Sequence, residues 1–325
     1  MLSLSGVALL VPAETPVNPL PTAADHMVRD TGIALVIGFL ISVLLVEVLD
    51  YISNPAGSAA MFQRRFGLSH LGTVPRWTNG AGASGDLAVT NGSALGSVEA
   101  MRQAAANVEF RPRSWGIKSI VVASPDTGEG RSSLMANLAV AISSSWKKVV
   151  VVDADLRRPS LHRFFGSGNQ VGLTSLLSNP DLEIEDVVQG TLYEGLRVIT
   201  SGSASAGPVA LLKSPKMASL IKRLESEYDL VLVDRPPMAP LADSAGIASQ
   251  VGATIMVVNP TSAHVASLRL ALGNREKANA RVLGFIWNRV PRGSIANYAR
   301  YEKQCRSRAA NRGGRAMGVQ AALIQ

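Results

Sequence analysis

The stretch "SPDTGEGRSSL", residues 124–134, decides how the chain is read. It follows the apolar, β-branched run "SIVVAS" and precedes a helical pattern, so its context is strand, glycine-rich turn, helix. Gly128 and Gly130 lack a Cβ and let backbone N–H groups turn inward around a phosphate, while the helix beginning near Arg131 offers its positive dipole end. Arg131 is placed for phosphate charge and Ser132 for a magnesium ion. The strict pattern G-x-x-x-x-G-K-[ST] is broken twice, by Pro125 and by Arg131. Taken alone the motif is weak, since a glycine-rich turn before a helix is common. The other strand ends must decide.

Further strand-like runs are "KVVVVDAD" (148–155), "LRVITS" (196–201), "DLVLVD" (229–234), "TIMVVN" (254–259) and "VLGFIWN" (282–288). They are continuously apolar and alternate with candidate helices, which predicts parallel strands buried on both faces in a doubly wound, mostly parallel α/β sheet. Ligands in such sheets bind beyond the carboxyl ends of the strands. There, "DADLRRP" sets Asp153 and Asp155 at one end, where carboxylates hold a hydrated magnesium ion or polarise a nucleophile; the bland alternative is a solvated acidic turn neutralised by its arginines. "VDRPP" presents Asp234 after an apolar run, as a Walker B carboxylate is presented. A phosphate turn and carboxylates at three strand ends together specify a P-loop nucleotide fold.

The chain has 325 residues, 47% apolar, with a formal net charge of +8. That is ample for a buried core and suits an anionic partner such as lipid headgroup or nucleotide phosphate. A single cysteine, Cys305, excludes a disulfide framework or a clustered-thiol metal site within one chain. Residues 31–46 carry no charge, and residues 31–49 as a helix span about 28 Å, close to the hydrocarbon thickness of a bilayer. One crossing is expected over residues 31–50. Arg29 stands among Glu14, Asp25 and Asp30 before it, and Arg64, Arg65 and Arg76 follow it. The positive-inside rule then puts the N-terminus outside and the large remainder in the cytoplasm, at the inner (plasma) membrane. "MLSLSGVALLV" has no basic flank, so no cleaved signal peptide is expected.

The expected organisation is a proline-rich extracytoplasmic stub (1–30), the membrane helix (31–50), a compact, turn-like juxtamembrane segment (51–77) containing "GLSHLGTVPRW", a flexible Gly/Ala/Ser linker (78–96), the P-loop domain (97–292) and a basic tail (293–325).

The order "SPDTGEGRSS", "VVVVDADLRRP", "GLTSLL", "PVALL", "YDLVLVDRPP", "LADS" and "GFIWN" resembles the cytoplasmic domain of bacterial tyrosine kinases of the polysaccharide co-polymerase group, deviant-Walker P-loop proteins akin to the ParA and MinD ATPases. "PAETPVNPLP", the membrane helix and "LGTVP" resemble the end of a Wzz-type chain-length determinant. The resemblance implies ATP and Mg²⁺ as cofactors, and a role in the assembly, chain length or export of capsular or exopolysaccharide. By position it implies that Gly128, Glu129, Gly130, Arg131, Ser132 and Ser133 surround phosphates, with Arg131 at the catalytic cation position. Ser132 and Asp234 would serve magnesium, with Asp155 in the metal shell; Asp153 would be the activating carboxylate and Asn288 would lie beside the base. Tyr298 and Tyr301 would be the phospho-acceptors. Implied partners are the polysaccharide polymerase or export machinery, a separate chain-length-determinant subunit, membrane lipid and further copies of the chain.

The departures from the family pattern bear on catalysis more than on binding. Arg131 replaces a lysine, exchanging a compact ammonium for a larger planar fork. The Glu-x-x-Arg-x-x-Arg oligomerisation pattern survives as Glu99 and Arg102 with Ala105 at the second arginine, which weakens that contact. Ala210 stands where a glutamate is usual, Arg235 where a small residue is usual, and the tail offers two tyrosines rather than a dense cluster. The seven basic residues from Arg292 to Arg315 read either as a solvated tail or as a lipid contact. No nucleic-acid partner is expected, because no recognition motif accompanies them. About thirty residues precede the membrane helix, so the rest of a co-polymerase's outer domain is either a separate polypeptide or lost by truncation. Three functions stay open: an ATP-dependent tyrosine autokinase, a non-catalytic scaffold and, disfavoured by the membrane helix, a ParA/MinD-like positioning ATPase.

Overall fold

Five consecutive valine-rich positions can be hidden from water only inside a sheet covered on both sides, and that arrangement is found here. The computed structural model describes residues 23–53, 58–77, 87, 95–144, 148–203, 207–236, 251–277 and 281–291. The chain divides into two units, residues 1–53 and 54–325. In the first, helix α1 (Ala23–Ser53) runs for 31 residues. Its Met27–Val46 portion is long and apolar enough to cross a membrane. Side chains from 27 to 46 are all exposed. Within that portion Ser42 donates to the Gly38 carbonyl at 2.8 Å and Thr31 to that of Met27 at 2.7 Å, so both hydroxyls are satisfied inside the helix.

The second unit runs α2 (Ala59–Phe66), β1 (His70–Pro75), α3 (Leu95–Trp115), β2 (Ser119–Ala123), α4 (Arg131–Ser143), β3 (Val149–Asp153), α5 (Leu161–Phe165), α6 (Leu173–Ser178) and α7 (Ile184–Val187). It continues through β4 (Val188–Gly190), β5 (Leu196–Ile199), α8 (Pro208–Leu212), α9 (Pro215–Glu227), β6 (Leu230–Asp234), β7 (Ala253–Val258), α10 (Val265–Lys277) and β8 (Val282–Val290). Eight strands form one sheet in the order β1-β8-β7-β2-β6-β3-β5-β4. Every pairing is parallel except β4 with β5. Alternate residues point to opposite faces. Val121, Val150, Val152, Val231 and Val233 pack with Leu173 and Ile221 on one, while Ile120, Val122, Val149, Val151 and Leu232 pack with Val108, Leu134 and Leu138 on the other. The six runs predicted as strands are β2, β3, β5, β6, β7 and β8, and the doubly wound α/β reading holds.

The juxtamembrane stretch differs from expectation. "GLSHLGTVPRW" is not a turn: it supplies β1, an edge strand parallel to β8, with Phe285 N–H donating to the Ser69 carbonyl at 2.9 Å. Its glycine and proline hid the strand, but an edge tolerates Pro75 and the fold needs Gly72, where a Cβ would meet the Ala104 Cβ at 2.8 Å. Before it, α2 is capped by the Ser58 hydroxyl accepting from Met61 N–H at 3.2 Å and ends on left-handed Gly67. Phe62 of α2 is 1% exposed, its ring 4.5 Å from Phe285 and 5.1 Å from Trp287 on β8. The compact unit therefore includes residues well before Ser97, α3 already begins at Leu95, and Leu87, inside the expected linker, is buried. On α3, Glu99 and Arg102 are exposed and 3.9 Å apart, whereas Ala105 lies in the core. The proline-rich stub through residue 22, "LADS", most of the linker and the tail with Tyr298 and Tyr301 lie outside the described residues.

Because α2 joins the sheet through an aromatic cluster, Phe62→Ala should lower unfolding free energy by about 3–5 kcal/mol, the usual cost of emptying a buried aromatic site. A urea titration followed by tryptophan fluorescence measures it; a change under ~1 kcal/mol would make α2 an appendage.

Candidate nucleotide site

The parallel register of the central strands sets the site. Asp234, the last residue of β6, is level with Asp153 of β3 on one side and Val122 of β2 on the other. The residues that follow β2 and β3, Ser124 and Asp155, then flank the same point. Beyond these ends lies a cleft of about 320 Å³, lined by residues 127–133 with Ser124, Asp155, Arg158, Ser160, Arg163, Phe164 and Arg289.

Gly128 and Gly130 both take positive φ, 79° and 78°, as the inward-turning loop demands. At Gly130 a Cβ would stand 2.8 Å from the Asn288 amide nitrogen and 2.8 Å from Arg289 Nε, so a side chain there would have to displace both as well as adopt a left-handed φ. Gly130 is the N-cap of α4, whose first intrahelical bond runs from Leu134 N–H at 2.9 Å. The N–H groups of Arg131, Ser132 and Ser133 have no intrahelical acceptor and sit at the positive end of the helix. A phosphate is what such a cradle accepts.

The arginine goes elsewhere. Arg131 Nε donates to Asp234 Oδ1 at 2.5 Å and Nη2 to Asp155 Oδ2 at 2.6 Å, while Nη1 lies 3.4 Å from the Ser124 hydroxyl. Its side chain is 8% exposed and Asp234 is fully buried. Burial works against the Arg131 charge, but the Asp234 and Asp155 carboxylates outweigh it and hold the guanidinium charged. Burial also pushes the Asp234 carboxyl up, with Arg131 pulling it back. Of the second oxygens, Asp155 Oδ1 accepts from Arg158 N–H at 3.1 Å, and Asp234 Oδ2 is buried and accepts no hydrogen bond.

The expected residues divide by position. Gly128, Glu129, Gly130, Arg131, Ser132, Ser133 and Asp155 line the cleft together. Asp153 does not: its carboxylate accepts from Ser160 N–H at 3.1 Å and Leu161 N–H at 3.0 Å, capping α5. Burial first, and Asp234 second, raise its pKa to about 7. Asn288 is also behind the loop, its amide donating to the Glu129 carbonyl at 2.8 Å. Glu129 is 1% exposed, with one oxygen accepting from Asp126 N–H at 3.2 Å and the other from Asn259 N–H at 3.3 Å. Its burial raises the pKa to about 8.

Sequence reasoning missed Asn259, Arg289, Arg158 and Arg163. Asn259 ends a predicted strand run, where the strand-end rule points to it. Arg289 directly follows Asn288, takes a left-handed φ of 58° and donates from Nη1 to the Gly128 carbonyl at 2.5 Å. Arg235 is fully buried behind Asp234, its pKa pushed down to about 9 by burial and then by Arg131.

Comparison with known proteins places the fold and the family. Residues 117–299 match the ParA family model, described as NUBPL iron-transfer P-loop NTPase. The chain is 31% identical over 267 residues to the putative tyrosine-protein kinase EpsB of Ralstonia solanacearum, covering 79% of this chain and 36% of that protein. It is 32% identical over 215 residues to the tyrosine-protein kinase YwqD of Bacillus subtilis, covering 66% of this chain and 90% of the relative. The crystal structure of the chimerical protein CapA2B2 superposes with a TM-score of 0.65 at 31% identity, over 72% of this chain and 100% of that one. The chain thus spans about a third of EpsB's length but nearly all of YwqD's.

Glu129 carries a pH prediction. Its folded pKa near 8 lies above the unfolded carboxylate value, so the native state holds an extra proton between them. The stability tied to it is complete below about pH 4.3 and lost as pH rises through the folded value. Glu129→Gln should flatten the fall in unfolding free energy between pH 5 and 8 by up to about 1.4 kcal/mol per pH unit, measured by urea unfolding across that range. An unchanged slope would mean that Glu129 is ionised in the native loop.

Proposed function

We propose that this chain, which belongs to the bacterial tyrosine-protein kinase family, is a membrane-anchored, nucleotide-binding regulator of capsular or exopolysaccharide assembly in which phosphoryl transfer to tyrosine has been lost. Binding is supported by the glycine cradle at the start of α4, whose N–H groups face the cleft. The loss of transfer rests on one observation: the cation at the lysine position is forked onto Asp155 and Asp234 at 2.6 and 2.5 Å instead of reaching into the cradle. An ammonium at the same place is a flexible point charge free to follow a γ-phosphate; the fork is held by two carboxylates.

The magnesium that the family implies does not fit this arrangement. Such an ion needs oxygens at about 2.0–2.1 Å, and one oxygen of Asp155 and one of Asp234 already accept Arg131 N–H groups, while Asp234 does not line the cleft. No catalytic step is therefore assigned to a metal. Arg131 holds the carboxylates, Asp153 anchors α5, and Asn288 with Arg289 holds the loop.

In the cell we place α1 across the inner membrane once, N-terminus outside, on the charge bias between Arg29 and the Arg64, Arg65 and Arg76 side. Its partners are the polysaccharide polymerase or export machinery and a separate chain-length-determinant subunit. Self-association through Glu99 and Arg102 is weak, because Ala105 adds no charge to that contact.

The full chain, incubated with ATP and magnesium, is expected to carry no phosphate on Tyr298 or Tyr301 by mass spectrometry, and Arg131→Lys to gain it. Labelling of the native chain at a rate comparable to the lysine variant sinks the loss of transfer and restores the autokinase.

A further inference from the structure

We infer that the guanidinium of Arg131 stands in for the divalent cation, so that the cleft binds a nucleoside di- or triphosphate in its metal-free form. The inference rests on the nucleotide-binding reading above and specifies which form of the ligand that site takes.

At a P-loop the metal does two things: it neutralises strand-end carboxylates that would otherwise repel phosphate, and it adds positive charge beside the phosphates. Here the first task is complete without an ion. Asp155 and Asp234 are both held by Arg131, through Nη2 at 2.6 Å and Nε at 2.5 Å. Of their remaining oxygens, Asp155 Oδ1 accepts from Arg158 N–H at 3.1 Å, and Asp234 Oδ2 is buried without a partner on a residue that does not line the cleft. A guanidinium has five N–H donors in a rigid plane, so bridging two carboxylates leaves donors over, and Arg131 itself lines the cleft. For the second task, Arg158, Arg163 and Arg289 line the same cleft of about 320 Å³. A magnesium–nucleotide complex brings an ion to a cleft whose strand-end carboxylate, Asp155, is already engaged by a guanidinium. The free nucleotide carries more negative charge to a cleft in which Arg131, Arg158, Arg163 and Arg289 outnumber the lining carboxylates Glu129 and Asp155.

Isothermal titration of the detergent-solubilised full chain with ATP, once in excess magnesium and once in EDTA, tests this directly. The expected result is an affinity in EDTA within about threefold of that in magnesium, or tighter. Arg131→Lys, whose single ammonium cannot bridge both carboxylates, should reverse the preference and bind at least ~10-fold tighter with magnesium. Binding by the native chain that needs magnesium overturns the inference and leaves the nucleotide site standing. No binding in either buffer, with the chain still folded by its melting curve, overturns both. A lysine variant that stays metal-indifferent removes Arg131 as the agent.

Discussion

The bridge from Arg131 to Asp155 and Asp234 is the constraint on which the rest of the site depends. Parallel pairing puts Asp153 and Asp234 level on neighbouring strands, and Asp155 lies two residues on. Three carboxylates gathered at buried strand ends cannot all stay ionised without a cation among them. The arginine supplies that cation from the first residue of α4, so it fixes the helix to the sheet as well as balancing charge. Removing it would leave buried, unpaired carboxylates, which costs far more than the net worth of the pair.

The loop above this bridge is held from two directions. Glu129 ties it to β7 through Asn259 N–H, and Asn288 with Arg289 ties it to β8 through the carbonyls of Glu129 and Gly128. The only non-glycine left-handed residue among those described is Arg289, so local backbone strain is spent where a side chain is aimed at the phosphate loop. A cradle braced in this way has little to reorganise when an anion arrives. Gly130 is close-fitted rather than merely flexible, since the Asn288 and Arg289 side chains fill the space where its Cβ would go, whereas Gly128 has open space there and is needed for its positive φ.

Much of this was legible in the residues. Strands β2, β3, β6 and β7 are short valine- and isoleucine-rich runs, and burial on both faces leaves such runs no other home. Asp155, two residues beyond β3, was flagged by motif and lines the cleft, whereas Ser124, directly after β2, lines it without having been singled out. Strand β1 was not legible, because "HLGTVP" has no alternation and its stability comes from β8, α3 and the aromatic cluster on α2. Asp153 and Asn288 were identified as site residues but not their direction: a strand-end carboxylate looks the same whether it faces a ligand or caps the next helix. The same limit applies to Arg131. Its identity was a departure visible in the sequence, but only the strand register reveals that the nearest acceptors are carboxylates below the loop.

That direction separates two kinds of P-loop. A lysine at this position and a metal ion divide the labour, the ion serving the carboxylates and the ammonium following the phosphates. An arginine long enough to serve the carboxylates itself merges the two roles into one side chain that cannot leave. A divalent ion comes and goes with the nucleotide, and its departure resets the charge of the site after each turnover. A guanidinium fixed to α4 keeps that charge constant, so only the nucleotide changes between the empty and filled cleft. Such a site is suited to reporting occupancy through the loop, β7 and β8, and poorly suited to moving a phosphoryl group, whose developing charge needs cations free to track it.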